Sequence, residues 1–89
     1  MIIGKVVGSL WATRKDEKLN GLKLLIVSPL YGNKQEEGYF VAADNAGAGT
    51  SDIVLVTQGS AARMSVGDSA IPVDAVIVGV IDSIEVDYE

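Results

Sequence analysis

The run AVIVGVI, Ala75–Ile81, sets the tightest condition on any fold this chain can adopt. β-Branched residues dominate it and both alternating faces are apolar, so it reads as a strand buried on two sides. A strand in a barrel wall ordinarily gives one face to the core and the other to water. Here the outer face also needs a cover. The rest of the chain offers only one short helical pattern, so the expected cover is a neighbouring subunit. From Asp82 the pattern alternates, with Ser83, Glu85 and Asp87 against Ile84, Val86 and Tyr88. The last strand is therefore expected to run from Val73, after Pro72, to about Val86, emerging towards solvent at its end.

Other strand signals precede it. Ile2 to Thr13 has period two: Ile2, Gly4, Val6, Gly8, Leu10 and Ala12 form one small apolar face, and Ile3, Lys5, Val7, Ser9, Trp11 and Thr13 a mixed one. Gly4 and Gly8 on one face imply close backbone approach or strong bending, as in a small closed barrel. Arg14 to Gly21 is polar and ends in Asn20-Gly21, a turn signal. Leu22 to Ser28 reads as the second strand, Lys34 to Gly38 as a polar loop, Tyr39 to Ala43 as the third strand and Ile53 to Thr57 as the fourth. A glycine-rich loop, Asp44 to Asp52, joins the last two. Ser60 has the chemistry of a helix N-cap, Ala61 to Met64 are fair helix formers, and Gly67 ends a helix of about two turns.

Five strands, one short helix and no βαβ rhythm predict a mostly antiparallel, OB-like small barrel. Eighty-nine residues make a single domain, residues 1–89, with a short tail at 83–89. A chain this size buries only about 60–65% of its unfolded surface. Without cysteine, no disulfide or zinc–thiolate site can reinforce the core. An apolar fraction of 48% in so short a chain points instead to a subunit interface.

The net charge of −5, from 7 basic and 12 acidic residues, has the wrong sign for non-specific nucleic-acid binding. The opening MIIGKVVGSLWATRK lacks a basic n-region and an unbroken apolar run, and no apolar stretch approaches the roughly 20 residues that span a bilayer. A cytosolic protein is expected.

Little catalytic chemistry is available. There is no histidine, so no Ser-His-Asp triad can form around Ser60, where Ala62 also replaces the glycine of a nucleophile elbow. Gly47-Ala48-Gly49 has Asp52 where a dinucleotide fingerprint needs its third glycine, and a strand follows instead of a helix. Asp44, Asp52, Asp74 and Asp82 match no calcium loop and are read as turn and backbone-bonding groups. Arg63 is a candidate partner for one of them. Trp11 is expected in a core or an interface. No cofactor or metal site is assigned.

Four stretches taken together resemble a known family: GKVVGSLWATRKDEKLNGLKLLIV at 4–27, VAADNAGAG at 41–49, VLVTQGSAAR at 54–63 and PVDAVIVGVID at 72–82. The chain resembles the pentameric vertex proteins of bacterial microcompartment shells, of the ethanolamine-utilisation and carboxysome type, from Met1 to about Asp82. The resemblance implies a homopentamer that closes the corners of a polyhedral shell faceted by hexameric tiles. Five-fold symmetry comes from the resemblance alone. On it, the loop Ala46, Gly47, Ala48, Gly49, Thr50, Ser51 is expected to approach the five-fold axis and rim a narrow pore, since small side chains suit crowding there. Val76, Val78, Ile81 and Arg63 are expected at the subunit interface, and Arg14, Lys15 and Lys18 at contacts with other shell tiles. The family often continues GAG with another glycine and a Glu. Here Thr50-Ser51-Asp52 keeps the acidic character but loses a permissive position.

Two other classes remain open on the residues alone. One is a stand-alone OB-fold module binding single-stranded nucleic acid or oligosaccharide through an exposed aromatic face. The other is a small enzyme or cation-binding protein built on the Asp set.

Overall fold

The structure, a computed structural model, describes residues 1–13, 15–31, 34–35, 38–67 and 72–85, with the side chains of residues 31, 34 and 35 outside the description. The strands are β1 (Ile2–Leu10), β2 (Leu24–Tyr31), β3 (Lys34–Gln35), β4 (Phe40–Asp44), β5 (Ile53–Gln58) and β6 (Ala75–Val80). A 3₁₀ turn, Glu17–Leu19, lies between β1 and β2, and helix α1 (Gly59–Ser65) between β5 and β6. The sheet order is β1-β5-β6-β4-β2, and β1 also pairs with β2, so five strands close a barrel. All of these pairings are antiparallel except β4–β6. β3 is a two-residue addition to the edge of β2, inside the stretch expected to be a polar loop.

The barrel interior is filled by Val6, Leu25, Val27, Ala42, Val54, Val56, Ala75 and Ile77, with Ile2 and Phe40 packed against them. Burying each of the larger side chains contributes about 1.5–3 kcal/mol. Gly4 shows why a small residue is required on β1. A Cβ there would collide with Val27 Cγ1 and lie 3.1 Å from the Ser28 carbonyl oxygen. The close approach expected from the sequence is therefore real at Gly4, whereas Gly8 faces more open space.

The single apolar face expected along β1 does not persist. Val6 pairs with Val27 but Gly8 pairs with Ile26, so Val7 is an extra residue in a β-bulge. Because side-chain direction alternates residue by residue, the bulge reverses the phase. Gly8 and Leu10 consequently lie on the outer side, opposite Ile26 and Leu24, while Ser9 takes the side of Leu25.

The outer face of β6 finds much of its cover within the chain. Val76 is fully buried against Ala43 and Ala62, with Leu22, Leu24, Val66, Val73 and Val78 around them. Helix α1 is thus the lid of a second small core outside the barrel. This corrects the expectation that a neighbouring subunit must cover the whole strand: one short helix, placed beside the N-terminal half of β6, suffices there. The strand also ends at Val80, so the run expected to reach Val86 stops six residues earlier; residues 81–85 are described but not in a strand, and Val86 lies outside the described residues.

Ser60 is not the cap of α1. Gln58 occupies the N-cap position without a side-chain bond, and the Gly59 N–H donates instead to the Asp74 carbonyl at 2.8 Å. The segment before β6 thus supplies a backbone acceptor to the first of the N–H groups that a helix start leaves open. At the other end, Gly67 does follow the last turn, its N–H bonded to the Met64 carbonyl at 3.0 Å.

Candidate functional site

The glycine-rich loop between β4 and β5 is held by two aspartates at its ends. Asp44 accepts from the Ala46 and Ala48 N–H groups, both at 3.0 Å, and Asp52 accepts from the Gly49 N–H at 2.8 Å. These are the turn-bonding roles expected for the two residues. The Asp44 side chain is only 4% exposed, and its compensating charge comes from Lys23, whose Nζ lies 3.8 Å from Oδ2. The same ammonium donates to the Ala48 carbonyl. A buried carboxylate with two backbone donors and a cation has a satisfied environment, so its burial does not demand another ligand. Lys23 was not singled out in the sequence; the only signal was a cation interrupting the apolar Leu22 and Leu24.

The loop is also sewn to the barrel and to the helix. The Ser51 N–H donates to the Val6 carbonyl at 2.8 Å, and the Val6 N–H to the Asp52 carbonyl at 2.9 Å. Asn45 donates from its backbone to Ile77 and from Nδ2 to the Ser65 carbonyl at 2.9 Å. Gly47 sits at φ +77°, a left-handed conformation natural to glycine. Ser51 sits at φ +78°, the position where the sequence had lost a permissive residue, so the strain of a Cβ there is carried by the loop.

Within the loop the residues divide. Ala48 is 1% exposed and its side chain joins the barrel core. Ala46, Gly47, Thr50 and Ser51 are exposed and Gly49 is half-buried. Of the residues expected at an interface, Val76 is wholly internal to the chain, Val78 and Ile81 are half-buried, and Arg63 is half-buried on α1. Among the described residues the ion pair is Lys23–Asp44, and Arg63 takes no part in it.

The basic cluster before β2 also divides. Arg14 lies outside the described residues. Lys15 folds back, donating to the Ala12 carbonyl at 3.0 Å and standing 5.0 Å over the Trp11 ring. Lys18 is exposed on the 3₁₀ turn. Trp11 is 87% exposed, which removes it from the core. It stands beside a cleft of about 560 Å³ floored by Leu10, Leu22 and Leu24 and bordered by Lys15 and Lys23.

Among the described residues no three His, Cys, Asp or Glu side chains gather to hold a metal ion, and no helix is long and apolar enough to cross a membrane.

The ethanolamine utilisation protein EutN/carboxysome family matches residues 1–82. The bacterial microcompartment shell vertex protein GrpN of Rhodospirillum rubrum is 42% identical over 86 residues, covering 96% of this chain and 97% of GrpN. The solved structure of GrpN, a pentameric microcompartment shell protein, is similar with a TM-score of 0.87 and covers 98% of this chain and 100% of that one. The structure of CcmL of Gloeobacter violaceus is similar with a TM-score of 0.90 at 40% identity, covering 98% of this chain and 91% of that one. Relatives of this kind give no support to the nucleic-acid or oligosaccharide module.

Proposed function

The chain belongs to the ethanolamine utilisation EutN/carboxysome family, and from that premise we propose that five copies form a ring capping the five-fold vertices of a bacterial microcompartment shell in the cytoplasm. The observation that carries this reading is the likeness, over 98% of the chain at 39% identity and with a TM-score of 0.87, to a pentameric shell protein. A five-fold ring uses head-to-tail contacts between two different surfaces of each chain. Its angle supplies the curvature that a sheet of hexameric tiles lacks, and hexameric shell proteins are the neighbours assigned here.

The protein performs no catalytic step in this reading. The chain has no histidine or cysteine, and the carboxylates of Asp44 and Asp52 are committed to backbone donors. The exposed residues Ala46, Gly47, Thr50 and Ser51, with Gly49, are assigned to the five-fold axis, where they border a narrow pore. Ala48 anchors that rim in the core. Val78 and Ile81 are assigned to the ring interface together with Arg63. Lys18, with Arg14, is assigned to contacts with adjoining tiles.

Native mass spectrometry of the purified chain tests the central reading. A five-chain species is expected, and a stable monomer at all concentrations overturns it. An image of the assembled ring with the 46–51 loop on its outer perimeter would refute the pore assignment alone.

A further inference from the structure

The apolar cleft beside Trp11 and the segment that starts at Asp82 are both left incomplete within one chain. The cleft is lined by three leucines, an exposed indole, Lys23 and Lys15, whose ammonium stands over the indole. Four of the chain's seven cations, Arg14, Lys15, Lys18 and Lys23, lie in that short stretch. The stretch from residue 82 onwards has the opposite character: Asp82, Glu85, Asp87 and Glu89 with no basic residue, interleaved with Ile84, Val86 and Tyr88. Its alternation is that of a strand, yet the strand of the isolated chain stops at Val80 and Ile84 is 54% exposed. The hollow at the base of this segment is lined by Ile53, Ile81, Asp82, Ser83 and Ile84, and shares no residue with the cleft.

We propose that the cleft receives the acidic segment beginning at Asp82 of the adjacent copy in the ring, with Ile84 seated on the leucine floor and Glu85 beside Lys15. The proposal rests on the ring reading and deepens it by naming the two unlike surfaces that a head-to-tail contact requires. Opposite charge selects the register and orientation of the pair, while the apolar contact supplies the binding free energy. An exposed aromatic ring that becomes covered at the centre of such a contact is the usual form of an energetic anchor.

Trp11 is the chain's only tryptophan, so its fluorescence reports on the cleft directly. The experiment measures acrylamide quenching of Trp11 in the full-length chain, with the assembly state of the same samples taken by native mass spectrometry. The wild-type ring is expected to shield Trp11, and Glu85→Lys or Ile84→Asp to raise both the quenching constant and the concentration needed for assembly several-fold. The double variant Lys15→Glu with Glu85→Lys is expected to restore both. A five-chain wild type whose Trp11 is quenched as freely as a tryptophan in solution overturns the proposal and leaves the ring reading standing. So does a double variant no better assembled than Glu85→Lys alone. A wild type that is monomeric removes both.

Discussion

Two connections of this barrel, β4–β5 and β1–β2, make opposite use of their residues. The β4–β5 loop is built mostly from small side chains, yet its conformation is closely specified. Two aspartates, one lysine and one asparagine bond its backbone and its flanks, and Ala48 plugs into the core. The β1–β2 connection has larger and charged side chains, yet up to Leu22 the side-chain hydrogen bonds described for it are short-range, Lys15 to Ala12 and Lys18 to Asp16, and only Lys23 at its end reaches the β4–β5 loop. No residue of its 3₁₀ turn is buried. Small residues allow backbone groups to approach partners closely and be satisfied by them, whereas long charged side chains keep their groups in water. The first connection is therefore fixed to the barrel, and the second leaves most of its charged groups in water.

Substitutions can break that contrast. Asp44→Ala should have the largest effect, since it leaves two backbone N–H groups without their acceptor and the Lys23 ammonium without its counter-charge. A loss of about 3 kcal/mol is expected, read by urea unfolding at fixed protein concentration because assembly adds to apparent stability. A loss below about 0.5 kcal/mol, the level of an ordinary surface change, would mean the loop is not held as described. Ala48→Leu places a large side chain in a filled core and should cost about 1–3 kcal/mol; an unchanged unfolding midpoint would show that the loop carries Ala48 outward instead. Ser51→Gly should stabilise by about 0.5–1 kcal/mol, as relief of the left-handed serine exceeds the added chain entropy. A destabilised variant would place Ser51 in an ordinary backbone region. In the other connection, Lys18→Ala should leave unfolding within about 0.5 kcal/mol, and its effect should instead fall on co-assembly with hexameric shell protein, measured by sedimentation of mixtures.

Much of the fold was legible because strands leave a period of two in the sequence. β1, β2, β4 and β5 fall close to where alternation placed them, and the roles of Asp44 and Asp52 followed from their places at strand ends. Other features left no such trace. The bulge at Val7 reverses the faces of Gly8 and Leu10 without disturbing the alternation, because an extra residue is visible only against its partner strand. Ser60 looked like a cap, but Gln58 holds that position, and the Gly59 N–H finds its acceptor in the Asp74 carbonyl, fifteen positions away in the chain. The Trp11 cleft was unseen as a cleft, since its walls come from both ends of the β1–β2 connection.

By itself the sequence determined the class of barrel, its glycine-rich loop, the poverty of catalytic groups and the family resemblance, all of which depend on local pattern and residue chemistry. Only the tertiary structure decided what covers each apolar face. The run Ala75–Ile81 announced two buried faces but not the identity of either neighbour. The barrel supplied one, and α1 with Leu22 and Leu24 supplied the other over Val76, while Val80 remains partly exposed. The physical reason is that hydrophobic burial is non-directional: an apolar side chain specifies that it must leave water, and the packing of distant segments specifies against what.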